Sequence, residues 1–368
     1  METRPGNIRR ATRHLRWRTA LLIFGSVVAL FLPIATQASA TTQIELTETT
    51  FNRPSMVWAT GDLWMAWAGT DYAGEINVAQ YPADPSASNQ VNKWTLGGSG
   101  TFTGAGASIG FNHSFNHAVV AWTDGGGDVD VAVIAGSGND GFGCETTLGA
   151  STYTPYVTSE GQDGSGNTYV TFVNTAHQMV VDQLDLSSCS GSSGSGEIGV
   201  DNQDVITSDK TDGGPALTVS GYGTSNEQFW MVWTSTGTPT INIAQYTPGV
   251  KVFTDKTTET THTTTADIGA AYNGGDGKVF DTYCGTNNVA YYQYFTPGSG
   301  GISGLTQSSV NNDSCGLVTT NGWTSGGVGA AYDYNSDSLS MWQAWDSSAC
   351  TLNNTNNCQI FLAPIPNP

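Results

Sequence analysis

Short stretches of alternating hydrophobic and polar residues recur along the chain, separated by turns rich in Gly, Asn, Asp and Ser. Trp64-Met-Ala-Trp67 is followed ten residues later by Asn77-Val-Ala-Gln-Tyr81. In the same way, Trp230-Met-Val-Trp233 is followed nine residues later by Asn242-Ile-Ala-Gln-Tyr246. Alternation predicts β-strands, and a repeat of about fifty residues with several strands per unit is typical of β-propeller blades.

The second strand of this unit can be aligned in six copies. They are Trp64–Trp67, Val119–Trp122, Tyr169–Phe172, Trp230–Trp233, Phe280–Tyr283 and Trp342–Trp345. Bulky residues three positions apart fall on opposite faces of a strand, so each copy can pack against two neighbouring sheets. The pattern therefore predicts an all-β fold: a single β-propeller of six four-stranded blades, with seven or five blades as alternatives.

The two ends of the repeat region predict how the ring closes. After Ala363 the chain has too few residues for a fourth strand in the sixth unit. The segment Thr42–Thr50 alternates like a strand and belongs to no other unit. We expect it to pair with the last blade, because closure leaves only short and protected sheet edges.

The first forty residues have the order of a secretory signal peptide. Six arginines precede an apolar run from Ala20 to Ala35, and Ala38-Ser-Ala40 supplies a small-residue cleavage site. An uncleaved anchor helix is the alternative, although the run is short and Pro33 interrupts it. We therefore predict a signal peptide over residues 1–40, a propeller domain over residues 41–368, and a secreted or cell-surface location.

Removal of that segment makes an already acidic chain, with a net charge of −19, more acidic. It leaves six basic residues against thirty acidic ones, a net charge of −24. Such a surface repels nucleic acid and anionic lipid, which excludes both as partners. No later segment is apolar enough to span a membrane, and we expect a monomer.

The six cysteines predict disulfides, because an even number in an exported chain favours pairing. Sequential pairing is the simplest arrangement: Cys144 with Cys189, Cys284 with Cys315, and Cys350 with Cys358. No Cys-x-x-Cys spacing is present, which disfavours a zinc site.

The repeats resemble secreted bacterial propellers related to sialidases and to propeller lectins, whose blades carry Ala-Trp-Thr-like second strands and Asn-Val-Ala-like third strands. The resemblance covers the whole predicted domain and is specific for architecture rather than activity. Sialidases bind the sialic-acid carboxylate with three arginines, whereas residues 41–368 contain only Arg53. Intact Asp-box turns are also absent from the sequence, so sialidase activity is not expected.

The resemblance favours non-catalytic binding of glycans or cell-surface polymers. Loops between second and third strands gather on one face of a propeller, and here they carry Asp71, Tyr72, Asp124 and Asp346. Arg53 precedes the first inner strand and should lie on the same face, as a ligand for a carboxylate or in a surface ion pair. The alternative for the aspartates is turn formation, since Asp bonds its own backbone.

A glycoside hydrolase or lyase is the second interpretation. Asp281 occupies a position that is apolar in four other blades, and Asp267 lies in the same unit. Two carboxylates in different environments can serve as acid and base. A polar channel or looser packing would also explain Asp281. A structural or protein-interaction propeller is the third interpretation.

A calcium site is the one cofactor that the sequence suggests. Asp333, Asn335 and Asp337 alternate like the oxygen ligands of a calcium loop. The glycine and closing glutamate of an EF-hand are missing, so a hairpin turn is the competing interpretation. Apart from this site, we expect no cofactor.

Overall fold

The chain folds into β-strands over the part that the structure describes. The computed structural model describes residues 43–365, apart from residues 51, 71–74, 83–84, 86–88, 97–104, 135–141, 152, 160–165, 190–195, 222–226, 299–300, 316, 321–322, 334–340 and 347–357. Among these residues the only helix is a single 3₁₀ turn at Ser187–Cys189. The described part contains no helix that is long and apolar enough to cross a membrane.

The first three blades follow one another along the chain. Blade 1 contains β2 (Ser55–Ala59), β3 (Asp62–Ala68), β4 (Ile76–Tyr81) and β5 (Asn92–Leu96). Blade 2 contains β6 (Ala107–Asn112), β7 (His117–Thr123), β8 (Asp128–Ile134) and β9 (Phe142–Ala150). Blade 3 contains β10 (Tyr156–Ser159), β11 (Thr168–Val173), β12 (Gln178–Asp185) and β13 (Gly199–Lys210).

The last three blades complete the ring. Blade 4 contains β14 (Ala216–Ser220), β15 (Gln228–Thr234), β16 (Thr240–Tyr246) and β17 (Phe253–Thr263). Blade 5 contains β18 (Gly269–Asn273), β19 (Lys278–Cys284), β20 (Val289–Gly298) and β21 (Gly301–Ser314), and a hairpin of β22 (Leu317–Thr320) and β23 (Trp323–Gly326) follows it. Blade 6 contains β24 (Val328–Tyr332), β25 (Met341–Asp346), β26 (Gln359–Ile365) and β1 (Ile44–Thr49).

The ring closes as the sequence predicts. All neighbouring strands within a blade are antiparallel, and each inner strand packs against the inner strands of the two adjacent blades. Strand β1 is the outermost strand of blade 6, where Ile44 lies opposite Leu362. The predicted fold class, six four-stranded blades closed by the N-terminal strand, is confirmed.

Hydrophobic side chains fill the six interfaces between blades, with one buried cluster at each interface. Trp64 packs towards blade 2, whereas Trp67 is fully buried against blade 6. Trp230 and Trp233 are divided in the same way between blades 5 and 3. Because side chains alternate along a strand, the three-residue spacing places one aromatic ring on each face.

The inner strands approach one another closely around the axis. Any side chain at Gly329 would collide with the carbonyl oxygen of Pro54 in the next blade. Ser55 and Ser108 bridge blades 1 and 2 with hydroxyl oxygens 3.2 Å apart. Ser108 also accepts the backbone N–H of Val157 at 2.9 Å, which extends the bridge to blade 3.

Two of the three predicted disulfides are confirmed. Cys144 bonds to Cys189 and so connects blades 2 and 3, while Cys284 bonds to Cys315 within blade 5. Cys358 is also disulfide-bonded. Its predicted partner, Cys350, lies outside the described residues.

An ion pair joins the outer edge of blade 1 to the closing strand. The ammonium of Lys93 lies 2.7 Å from Glu48 in β1 and 5.3 Å from the centre of the Trp67 ring. We expect Lys93→Met to lower the free energy of unfolding by about 0.5–1 kcal/mol, because the pair is partly exposed. Urea denaturation at low salt and in about 1 M NaCl measures this, and the loss should shrink in salt.

Lys278→Met is the matched control. The Lys278 ammonium lies 4.6 Å from the centre of the Tyr294 ring and makes no ion pair among the described residues. Its loss should therefore depend less on salt. Equal losses for Lys93→Met at low and high salt would contradict the ion-pair explanation.

Candidate functional site: an axial cavity with an aromatic mouth

A cavity of about 90 Å³ lies at the centre of the ring. All six inner strands contribute to it, and most of the lining residues belong to the middle and carboxyl ends of those strands. One lining residue from each blade, in order, is Trp58, Phe111, Thr158, Thr218, Tyr272 and Tyr332. The inner strands run in one direction along the axis, so their carboxyl ends bring four aromatic side chains to one face.

Two tyrosines form one side of this mouth. Tyr272 ends the Gly-Ala-Ala-Tyr segment of blade 5, and Tyr332 ends the matching segment of blade 6. Both are half-buried, and Gly274 lies beside both rings. The hydroxyl of Tyr332 accepts the backbone N–H of Gly275 at 3.0 Å, which fixes its ring against the adjacent blade.

The other aromatic rings of the mouth are held by neighbouring rings. Trp58 is stacked on Trp342, with ring centres 6.4 Å apart. Phe111 lies 5.9 Å from Trp64 and meets His113 edge-on at 5.0 Å. Trp58 and Phe111 are each only 3% exposed, so they support the mouth from within the blade interfaces. Tyr272 and Tyr332 are the two rings of the mouth that a ligand can reach.

Tyr156 forms the inner end of the cavity. It begins β10 in blade 3, and its hydroxyl reaches blade 5, where it donates to the carbonyl of Ala270 and accepts the Ala270 N–H at 3.0 Å. Burial raises the pKa of this phenol. The Tyr156 side chain therefore spans the axis from blade 3 to blade 5. It is a neutral phenol whose hydroxyl both donates and accepts a hydrogen bond.

Beyond Tyr156, the side chain of Arg53 fills the axis. Arg53 precedes blade 1, and its guanidinium donates to the carbonyl of Ile268 in blade 5 and, at 3.2 Å, to that of Pro155 in blade 3. It also lies over the Tyr156 ring, 5.0 Å from the ring centre. Blades 1, 3 and 5 alternate around the six-bladed ring, so a single side chain can contact all three only at the central axis.

Arg53 is therefore not in a surface ion pair, and that interpretation is corrected. Its side chain is fully buried, and burial lowers the pKa of the guanidinium while Asp267 opposes the shift. Burial raises the pKa of Asp267 in turn, and Arg53, Thr154 and Gly214 lower it. The Asp267 carboxylate accepts the N–H of Gly214 at 2.6 Å. Together these groups form a buried polar plug at one end of the axis.

The structure does not bring Asp267 and Asp281 into contact. Asp281 lies in the middle of β19, opposite Ala270 and Gln293, on the side that faces blade 4. It is completely buried, and burial raises its pKa well above the usual value. Gln293 lowers that pKa and Glu259 raises it, whereas Asp267 does not act on it. The two carboxylates thus occupy separate environments.

The predicted loop residues have different surroundings. Asp124 caps its own turn, because its carboxylate accepts the N–H groups of Gly126 and Asp128, both at 2.8 Å. Asp346 and Asp333 are buried. The remaining predicted ligands lie outside the described residues: Asp71, Tyr72, Asn335 and Asp337. Within the described ranges, no three His, Cys, Asp or Glu side chains cluster as a metal would require.

Sequence reasoning did not identify the aromatic mouth. Tyr272 and Tyr332 stand at the same position of two matched inner strands, and Trp58 and Phe111 also lie near the carboxyl ends of theirs. The shared position of these aromatic residues in the inner strands was the only sign of the mouth in the sequence. It indicates a site only once the closed topology shows that the carboxyl ends of the inner strands meet at one end of the axis.

Comparisons with known proteins show a likeness of fold. No protein-family model matches the chain, and no curated protein matches it. A triple mutant of AofleA from Arthrobotrys oligospora is similar in structure, with a TM-score of 0.55, 8% identity and 83% of each chain covered. The lectin SapL1, solved with alpha methyl fucoside, has a TM-score of 0.51 and 14% identity over 81% of this chain and 90% of its own.

A third similar structure has another activity in its name. Hydrazine synthase from Kuenenia stuttgartiensis has a TM-score of 0.50 and 10% identity, and covers 87% of this chain and 88% of its own. The resemblance to lectin-type propellers is confirmed as a likeness of fold. At such low identity the fold alone is shared, so function must be argued from the site.

Proposed function

We propose that this protein is a non-catalytic, glycan-binding propeller that holds its ligand at the mouth of the axial cavity. One observation carries the proposal: two half-buried tyrosines of adjacent blades, Tyr272 and Tyr332, flank a preformed axial pocket whose lining includes no lysine, arginine, aspartate or glutamate. Sugar rings have apolar C–H faces that stack on aromatic rings and hydroxyl edges that need a few donors and acceptors. The likeness to a fucoside-bound lectin supports the same class of ligand.

The lining supplies both kinds of contact. The faces of Tyr272 and Tyr332 can take the apolar side of a sugar, and Thr158 and Thr218 add hydroxyl-bearing side chains to the lining. No lysine, arginine, aspartate or glutamate is among the lining residues. This composition favours recognition by shape and hydrogen bonds, and it offers no carboxylate pair for hydrolysis.

A glycan-array screen of the purified protein tests the proposal, with titration calorimetry of the best ligand. We expect Tyr272→Ala to weaken binding about tenfold, because stacking on one aromatic ring contributes about 1 kcal/mol beyond its buried area. Tyr272→Phe should bind nearly as well as the wild type, since it keeps the ring.

Tyr294→Ala is the matched control for the array experiment. Tyr294 is a half-buried tyrosine of the same blade that does not line the cavity. The Tyr294→Ala variant should bind the glycan with the same affinity as the wild type. Absence of binding to every glycan of a broad array would overturn the proposal of glycan binding. Release of sugar from the bound glycan would show that the protein is a hydrolase instead of a non-catalytic binding protein.

Export is a further part of the proposal. The disulfides Cys144–Cys189 and Cys284–Cys315 suit an oxidising compartment, and residues 1–40 have the order of a signal peptide. Amino-terminal sequencing of the protein recovered from culture medium should give Thr41. Retention of the full chain in the membrane fraction would favour the anchor interpretation instead.

A further inference from the structure

We infer that the axial cavity binds one uncharged sugar unit at the end of a glycan chain. The inference rests on the proposed function and narrows its ligand class. It follows from three features of the cavity: a closed inner end, a wall without lysine, arginine, aspartate or glutamate, and two half-buried tyrosines at its mouth.

The inner end is closed by groups that already have partners. Tyr156 crosses from blade 3 to blade 5, and the Arg53 guanidinium lies over its ring at 5.0 Å. Arg53 is bonded in turn to carbonyls of two other blades. A glycan therefore cannot thread along the axis, and only a unit with a free end can enter to full depth.

The wall cannot compensate a charged ligand. Apart from tyrosines, His113 at the mouth is the one titratable residue of the lining. The nearest cation in the plug, Arg53, is buried behind Tyr156 and interacts with Asp267. A carboxylate that lost its water in this cavity would have no oppositely charged partner, which is strongly unfavourable. An uncharged sugar meets no such penalty.

The two tyrosines of the mouth follow small residues. The pairs Ala270-Ala271 and Ala330-Ala331 directly precede Tyr272 and Tyr332 on the inner strands of blades 5 and 6, and all four alanines line the cavity. A sugar that stacks on those tyrosines would therefore lie beside alanines rather than beside bulky side chains.

Calorimetry with matched monosaccharides tests the charge and the stoichiometry. The probes are the methyl glycosides of glucose, galactose, mannose, fucose and xylose, with methyl galacturonate and methyl glucuronate as charged partners. We expect one neutral glycoside to bind with a stoichiometry near one per chain. The matching uronate should bind at least tenfold more weakly. Equal affinity for the uronate, or several equivalent sites, would overturn the inference.

Two further comparisons test depth and chain ends. Ala271→Val narrows the space beside Tyr272 and should weaken binding at least tenfold, while circular dichroism and the melting temperature report whether the variant folds. Linear oligosaccharides of the selected sugar should bind, whereas variants capped at both ends, or cyclic forms such as α-cyclodextrin for glucose, should not. If array ligands bind, but neither Ala271→Val nor blocked chain ends weaken the binding, the proposal of glycan binding stands. The inference that the cavity holds a terminal sugar unit is then wrong. If no glycan binds at all, both proposals fail.

Discussion

Replacing Arg53 with methionine should lower the free energy of unfolding by about 3–5 kcal/mol, because each of two buried carbonyls that loses its hydrogen-bond donor costs about 1–3 kcal/mol. The change removes donors from the carbonyls of Ile268 and Pro155 and leaves Asp267 buried without its cation. It also removes a group that joins three alternate blades at the axis. Urea denaturation followed by tryptophan fluorescence measures the loss.

Two further variants separate the charge from the packing. Lys256→Met removes a partly exposed lysine that pairs with Asp209, and it should cost less than about 1 kcal/mol. The double variant Arg53→Met with Asp267→Asn should recover part of the loss, because the uncompensated carboxylate is gone. An Arg53→Met protein no less stable than Lys256→Met would show that the axial plug does not stabilise the ring.

Asp281→Asn is expected to raise the stability of the protein at neutral pH by about 2 kcal/mol. Neither carboxylate oxygen of Asp281 has a hydrogen-bond partner of normal geometry, and burial raises its pKa well above the usual value. Gln293 on the facing strand offsets only part of that shift. The folded state therefore keeps this proton to a higher pH than the unfolded chain does.

The sign of the pH dependence follows from this difference. Below the unfolded pKa of about 4 both states are protonated, and Asp281 is not destabilising. As the pH rises towards the folded pKa, the unfolded chain ionises first and stability falls. The amide cannot ionise, so Asp281→Asn should gain over the wild type between pH 4 and neutral pH and match it at pH 4.

Urea denaturation at several pH values between 4 and 8 measures the effect, with the exposed Asp128→Asn as control. In Asp281→Asn the free energy of unfolding should still fall between pH 4 and 6, but less steeply than in the wild type. This remaining fall belongs to the other buried carboxyls, among them Asp182, whose pKa burial raises to about 6, and Asp267, whose pKa burial also raises. If Asp281→Asn were less stable than the wild type at every pH, the carboxylate would have a structural role that its buried surroundings do not show.

The architecture could be predicted from the sequence because each blade repeats the same local pattern. The spacing of Trp64 and Trp67 fixes which ring faces which neighbour, and one period of alternation suffices to read it. The closing role of Ile44–Thr49 followed from counting strands at the two ends. The burial of Asp281 was also visible, since the registers place it level with Met65 and Met231 in the aligned strands.

The candidate site could not be predicted in the same way. Its walls come from six segments that are separated by about fifty residues each, and no local pattern states that they meet. Arg53 shows the limit most clearly. The sequence marks it as the only arginine of the predicted domain, but a residue before a strand carries no periodicity, and its burial depends on blades 3 and 5.

The pairing of β1 with β26 links the start of the folded domain to its end, since Ile44 lies opposite Leu362. During synthesis, β1 is made first and stays unpaired until residues 359–365 have been translated. Any product that stops before β26 leaves two open sheet edges, which quality-control proteases and other chains can attack. Closure of the ring therefore requires residues 359–365, and only molecules that contain them can pair the outer edge of blade 6.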